Sequence, residues 1–361
     1  MDYLQHNPIP LVDNKTHTSL QSTIKTIFDW EYSLKQKNLM RLYEKGKRLN
    51  WNASDLPWDT DVQPGNQGRL LGPQARRLLN IPDAITDEMF NKISLERNAF
   101  MLSQFLHGEQ GALLVTAKLV QSCPDEESKF YASSQVTDEA RHVEVYHRYL
   151  TEKLNTGGYP IIPSLKLLLD DIITASDWDI SFLGMQIMVE GVALGSFSFV
   201  KMVNPDEPLI TEITERIMQD ESRHVAFGVN ALSNIYKPGE LSAQELRERE
   251  DFVIEASHIL RERLGGDQIF DKLGINMTPE IIEWDRNSVF LKGITHMTFS
   301  KVVPNLKRIG LLTPRVRKAY EQMDLLKFEN NKDSLEDETI QPPEELVKGL
   351  MEHLSFPNVS P

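Results

Sequence analysis

The five residues Asp-Glu-Ala-Arg-His at 138–142 return 82 positions later as Asp-Glu-Ser-Arg-His at 220–224, and no other feature of this 361-residue chain restricts its fold as tightly. At average residue usage, one copy of D-E-x-R-H arises by chance in about one chain in a thousand of this length, and two copies in about one in a million. Residues i and i+3 of a helix share a face, so Glu139 with His142, and Glu221 with His224, each aim a carboxylate and an imidazole in one direction. A glutamate in an apolar stretch precedes each motif: Glu109, 30 residues before Glu139, in FLHGEQGALLVTAKLV, and Glu190, 31 residues before Glu221, in FLGMQIMVEGVALGSFSFV. The chain therefore spells Glu, then Glu-x-x-His, twice. One E-x-x-H pair alone reads as exposed helix neighbours; the duplicated set asks for four helices that bring these groups to one place.

Composition narrows what such a place could serve. With 39 Lys and Arg against 53 Asp and Glu, the net charge is -14, which opposes attraction to phosphate backbones and anionic membranes, so neither nucleic acid nor membrane is expected as a partner. Cys123 is the only cysteine, so there is no internal disulfide and no thiolate cluster; the expectation is a cytoplasmic protein whose metal chemistry, if any, uses carboxylates and histidines. Residues 182–200 are long and apolar enough to suggest a membrane span, but Glu190 near the middle fits the centre of a large bundle better than lipid.

Helical periodicity dominates the chain. Apolar spacing over 19–50 predicts one long amphipathic helix, followed by a turn-rich loop in which Trp51 and Trp58 serve packing. Further helices are predicted over about 93–121, 124–155, 163–175, 177–203, 206–236, 242–265, 279–298 and 302–327, with breaks at Pro124, Gly157-Gly158-Tyr159-Pro160 and Asn204-Pro205. No run alternates like a strand. The expected architecture is all-α: one domain over 1–327 with a four-helix core over about 85–236 and additional N- and C-terminal helices, then an acidic, solvated tail over 328–361.

A Glu from each of two helices and a Glu-x-x-His from each of two others is the ligand set of dinuclear carboxylate sites in helical bundles. The expected metal ligands are Glu109, Glu139, His142, Glu190, Glu221 and His224. Mostly carboxylate sites with one imidazole per ion suit iron or manganese, and four carboxylates offset two divalent cations, which explains a buried Glu190. A metal-bound imidazole usually donates its other N–H to a carboxylate. An aspartate beside a ligand cannot easily reach the histidine of its own helix, so the pairing is expected to cross: Asp138 to His224 and Asp220 to His142, with Arg141 and Arg223 neutralising the aspartates. Phe105, Leu106, Leu113, Gln186, Leu194 and Phe197 lie one or two turns from Glu109 and Glu190 and are expected to line a mainly apolar substrate pocket. His107, His147, His258 and His296 lack a partner pattern and read as ordinary polar or structural residues.

On these motifs the sequence resembles the ferritin-like di-iron carboxylate superfamily over roughly 85–236. D-E-x-R-H in both halves is similar to the hydroxylase subunits of bacterial multicomponent monooxygenases, although their Thr one turn after the third glutamate is Leu194 here. The arylamine N-oxygenases are similar in size, but their extra His one turn before the last Glu is Ile217 here. Tyr146, four residues after His142, stands where the radical-generating subunit of ribonucleotide reductase carries its tyrosine. The acyl-carrier-protein desaturases share length and metal layout, whereas ferroxidase or storage chains are usually about half as long. The resemblance implies two Fe ions, with Mn/Fe as a variant, O2 as co-substrate and a homodimer. It also implies an oxygenase or oxidase that hydroxylates or N-oxygenates a small organic substrate, with Glu109, Glu190 and Tyr146 as catalytic candidates. The radical-generating and desaturase-like activities are the alternatives. Neither a G-x-G-x-x-G fingerprint nor a cysteine cluster is present, so electrons are expected from an external donor or reductase.

Overall fold

The computed structural model describes residues 9–10, 12, 15, 17–30, 32–62, 76, 79–204, 207–261, 267–287 and 289–337. Among these the only β-type pairing is a single bridge between Val12 and Lys15, and the rest of the regular structure is helical. The helices are α1 (Lys37–Leu49), α2 (Asp87–Ser122), α3 (Glu126–Arg148), α4 (Pro163–Thr174), α5 (Trp178–Phe182), α6 (Glu190–Val203), α7 (Pro208–Leu232), α8 (Ala243–Arg261), α9 (Asp267–Lys272), α10 (Pro279–Arg286), α11 (Val289–Ile309) and α12 (Pro314–Gln322). Wide π turns extend α3 over Tyr149–Leu154 and join α5 to α6 over Leu183–Val189.

Local chemistry sets these boundaries. Thr86 caps α2 by accepting the N–H of Met89 at 3.2 Å, with Asp87 and Glu88 in the first turn where the helix dipole favours anions. Asp125 caps α3 by accepting the N–H of Ser128 at 2.8 Å, while α4 and α7 start on Pro163 and Pro208. Gly157 and Gly158, at φ 84° and 60°, make the turn between α3 and α4 that side-chain-bearing residues adopt with strain.

The central four helices are α2, α3, α6 and α7. α2 packs along α3, and α6 along α7, while α1 lies on α3 and α7, and α11 covers α6. α6 can approach α11 so closely because residue 195 is glycine: a Cβ there would fall 2.6 Å from the backbone of Thr298. One apolar cluster includes Tyr131, Phe182, Met185 and Phe227; a second includes Phe100, Tyr146, Tyr149 and Phe197. Trp178–Met202 is the one helical run among the described residues long and apolar enough to cross a membrane; 78% of its apolar window is buried within the bundle.

Three expectations need correction. Residues 19–36 do not form the first half of a long helix where they are described. Their polar groups bond outward instead: Ile27 N–H donates to Gln121 O at 2.9 Å, Ser22 Oγ to Ile173 O at 2.8 Å, and the N–H of Gln36 to Glu127 at 2.7 Å. β-Branched Thr23, Ile24, Thr26 and Ile27 make the helix a weak competitor there. The break expected near residue 300 is absent, and α11 runs through Pro304 to Ile309. Phe299, Val302, Val303 and Leu306 on this helix are completely buried, and their packing outweighs the one backbone bond that proline removes. The stop comes at Gly310, φ 92°, where Leu311 N–H returns to Leu306 O at 2.9 Å. Finally, the beginning of the acidic segment is docked, not solvated: Asn305 donates to Ser334 Oγ at 2.9 Å and accepts the Ser334 N–H at 2.9 Å. Residues 338–361 lie outside the described part.

Candidate metal centre

Glu109 on α2, Glu139 and His142 on α3, Glu190 at the start of α6, and Glu221 and His224 on α7 are all buried and converge on one point. Oxygen and nitrogen atoms of Glu109, Glu139, His142 and Glu221 lie within 4.8 Å of one another; those of Glu139, Glu190 and His224 form a second such group. His142 Nδ1 is 3.0 Å from Glu221 Oε1, 3.1 Å from Glu109 Oε2 and 3.5 Å from Glu139 Oε2. His224 Nδ1 is 3.0 Å from Glu221 Oε2, 3.3 Å from Glu139 Oε1 and 3.8 Å from Glu190 Oε1. Glu139 and Glu221 thus each offer one oxygen toward either imidazole, and Glu109 and Glu190 sit at opposite ends. The π turn at Leu183–Val189 leads directly into Glu190; such wide turns often mark functional positions in helices.

The opposite ring nitrogens are held by aspartates of the other motif helix. Asp220 Oδ2 is 3.1 Å from His142 Nε2, and Asp138 Oδ2 is 3.3 Å from His224 Nε2. Arg141 pairs with Asp138 and reaches Asp220 at 3.2 Å; Arg223 pairs with Asp220 and reaches Asp138 at 3.5 Å. The repeated pentapeptide therefore closes into a buried ring of two aspartates and two guanidiniums behind the imidazoles. It turns both Nδ1 atoms toward the carboxylates.

Burial and mutual charge set the electrostatics of those groups. Burial pushes Glu109 and Glu190 well above the usual carboxylate range, and neighbouring carboxylates add to the effect. Burial acts the same way on Glu221, but the His224 and His142 charges outweigh it and hold that carboxyl well below its usual value. Burial alone would lower the imidazoles; the surrounding carboxylates reverse this, raising His142 well above its ordinary value and His224 to about 10. Yet Glu139 Oε2 and Glu221 Oε1, both buried, accept no hydrogen bond from any described residue. One proton on each Nδ1 cannot serve carboxylates on several sides, whereas a cation can. Four carboxylates and two inward-facing imidazole nitrogens fit two divalent ions.

Four neighbours escaped the sequence reading. Gln135, one turn before Glu139, donates to Glu139 Oε1 at 2.8 Å and to Glu190 Oε1 at 3.2 Å; Gln186 donates to its carbonyl oxygen at 3.1 Å and so fixes the amide's orientation. Its i−4 spacing from a ligand was the available signal. Gly228 makes room, since a Cβ there would be 2.5 Å from the Cβ of Gln186. Trp51, expected only to pack, donates Nε1–H to Asp220 Oδ2 at 2.8 Å beneath the Arg141 guanidinium, and Asn50 accepts from Arg141 at 2.6 Å. Nothing in the loop sequence tied these two to the motifs. Gln135→Leu is expected to lower metal affinity about 10–100-fold, measured against a competing chelator, because both glutamates lose the donor that orients them.

A cavity of about 880 Å³ adjoins the cluster, and Glu109 and Glu190 form part of its wall. Phe105 and Phe197 line it, as do Met101, Ala112, Val189 and Ala193. Leu106, Leu113, Gln186 and Leu194 do not: Leu106 and Leu194 pack into the two apolar clusters, and Gln186 is committed to Gln135. Tyr146 is fully buried against Phe105 and Phe197, with a hydroxyl that has no hydrogen-bond partner among the described residues and a pKa raised well above normal by burial. His107 Nε2 is 3.0 Å from Tyr159 O, His147 is exposed, and His296 lines the cavity away from the cluster.

An all-α bundle that gathers a Glu from each of two helices and a Glu-x-x-His from each of two others has the organisation of ferritin-like dinuclear carboxylate proteins. Neither a family model nor a curated protein matches the chain. Among solved structures it is similar to an R2-like ligand-binding oxidase with an aerobically reconstituted Mn/Fe cofactor, at 17% identity and a TM-score of 0.43, covering 75% of this chain and 92% of that one. A single-residue mutant of an R2-like ligand-binding oxidase, also aerobically reconstituted with Mn/Fe, matches at 18% identity and a TM-score of 0.46, over 78% of this chain and 94% of that one.

Proposed function

We propose that Glu109, Glu139, His142, Glu190, Glu221 and His224 hold two redox-active metal ions, Fe/Fe or Mn/Fe, and that the protein is an oxidoreductase using O2 to oxidise a small organic substrate, by hydroxylation or N-oxygenation. The observation that carries this reading is the cavity: Glu109 and Glu190 are the only cluster members on its wall, so a molecule inside meets the centre through its two outer ligands. The metals would supply the electron transfer to O2 that no side chain here can perform. The chain's own groups do the rest. Phe105, Phe197, Val189 and Ala193 exclude water from the inner end of the cavity; Gln135 orients Glu139 and Glu190; Asp220 and Asp138 hold the imidazole Nε2 protons. An external electron donor or reductase and a homodimer belong to the same reading.

The test is metal analysis and O2 uptake on protein produced with iron. Two ions per chain, with reductant-dependent O2 consumption that candidate substrates accelerate, support it. A capacity of many ions would indicate storage, and absence of metal would sink it.

The partnerless hydroxyl of Tyr146 favours one second reading, a redox-active phenol close enough to sense the charges of Glu109, His142 and Glu221. With Tyr146→Phe, O2-dependent oxidation is expected to fall less than about tenfold, with unchanged metal content and no long-lived radical in the wild type. A stable tyrosyl radical in the wild type, lost together with all activity in the variant, would transfer the protein to the radical-generating class.

A further inference from the structure

We infer that the substrate of this centre is an amphipathic organic anion whose charged group stays at the cavity mouth, held by Arg261, Arg286 and Lys292, while its apolar body reaches the Glu109–Glu190 wall. The inference rests on the function proposed above and specifies its substrate class.

The cavity is polarised along its length. Its inner part is built by α2 and α6 from Phe105, Phe197, Ala112, Val189 and Ala193 around the buried Glu109 and Glu190. Its outer part is built by the end of α8, the end of α10, the first turns of α11 and residues 323–328. Arg261, Arg286, Lys292 and Lys327, on four different elements, all line it, and all four are exposed, which places them at the solvent end. One carboxylate, Asp324, faces them there, and it is engaged with Lys327 at 2.5 Å. Four cations against one carboxylate therefore leave an excess of three positive charges at this end of the cavity, in a chain whose net charge is -14.

That arrangement is costly unless it serves an anion. Like charges gathered on one rim repel, and Asp324, which pairs with Lys327 and also feels Arg261, is the one carboxylate among the described lining residues at that end, so the rim keeps an excess of positive charge. A cleft with cationic edges and low-dielectric walls concentrates anions at its entrance. A doubly charged body would meet the apolar side chains of Phe105, Phe197, Ala112, Val189 and Ala193 and the two buried carboxylates inside, and a cation would be repelled at the rim. His296, held below its usual pKa by burial and by Lys327, is a neutral hydrogen-bonding partner at the same level. Carboxylate and phosphate share the chemistry this rim recognises; Arg261 and Arg286 offer planar forks suited to either. A volume of about 880 Å³ accommodates a medium-sized molecule spanning from rim to wall.

Four probes with one tail test the inference: octanoate, octyl phosphate, octanol and octylammonium, titrated calorimetrically into wild-type protein and into Arg286→Ala/Lys292→Ala, each metal-loaded and metal-free. Both anions are expected to bind the wild type at least about tenfold more tightly than octanol, with octylammonium weakest, and to lose on the order of tenfold per cation removed, while octanol affinity stays the same. The advantage should shrink with added salt. Preference for octyl phosphate would point to a phosphate ester, and preference for octanoate to a carboxylic acid. Equal binding of anion and alcohol would overturn the inference, as would anion binding that requires metal and ignores the double variant, since the charged group would then sit on the centre instead of the rim. Because the metal-free arm reads the rim alone, a protein that takes up no metal but still selects anions would refute the proposed oxidoreductase and leave the anion site standing. The altered side chains are exposed, and an unchanged melting temperature confirms that the variant is folded.

Discussion

Glu139→Ala is expected to reduce the bound metal from about two ions per chain to less than about a tenth of that, and to abolish O2-dependent activity. Glu139 is the one residue common to both potential ligand groups, and its two oxygens lie toward the two different imidazoles at 3.3 and 3.5 Å. Its removal withdraws a ligand from each ion at once and strands the Gln135 amide that had oriented it. The loss of metal should not reflect loss of the fold. In the metal-free protein Glu139 stands between other buried carboxylates and the two imidazoles, so deleting its charge removes repulsion and attraction together while leaving a small cavity. The metal-free variant should therefore melt within a few degrees of metal-free wild type, an order set by about 1 kcal/mol either way. Glu139→Gln separates charge from volume: it fills the space but cannot bridge two cations, so it is expected to keep one ion at most. Metal analysis paired with thermal melts decides the matter, and full metal content in Glu139→Ala would overturn the assignment of these residues as ligands.

Much of this site was legible in the sequence because its geometry is helical and its chemistry repeats. A three-residue spacing puts Glu139 and His142 on one face wherever the helix lies, and the same holds for Glu221 and His224. Glu109 and Glu190 stood out because a carboxylate in an apolar helix needs a reason. The crossing of Asp138 and Asp220 followed from reach: neither extends to the histidine of its own helix. What stayed hidden depends on long-range placement. Trp51 and Asn50 bond to Asp220 and Arg141 of the motifs from a loop 91 or more residues away, and only the packing of α1 on α3 and α7 brings them there. The pocket was half visible for a similar reason. Periodicity assigns Leu106 and Leu194 to the right helices, but which apolar face meets a void and which meets another helix is decided by α11 and the 323–328 turn, elements whose registers local patterns misplaced. Residues 19–36 had helical spacing and still gave up the helix, since Gln121, Glu127 and Ile173 offer their polar groups better-placed partners.

Metal uptake should release protons and grow tighter as pH rises, steeply enough to dominate any solution measurement. In the metal-free protein the folded-state pKa of His224 is raised to about 10, and that of His142 is also raised well above its usual value, because the carboxylates that would share a metal stabilise the imidazolium instead. The sign follows from the two states of each histidine. Its folded pKa exceeds the unfolded value of about 6.5, so protonation stabilises the metal-free fold fully below that value, and the contribution is lost as pH rises through the folded pKa. A metal needs neutral imidazole, so at pH 7 each ion must displace a histidine proton. Glu109 and Glu190, raised by burial, add further protons where they are still neutral. Loading two ions at pH 7 is thus expected to release at least about two protons per chain. The overall affinity should then gain on the order of a hundredfold per pH unit between about 6 and 8. Calorimetric titration with the metal in two buffers of different ionisation enthalpy reads the proton count directly. A count below one would mean that the imidazoles are already neutral without metal, and that the surrounding carboxylates do not hold them protonated.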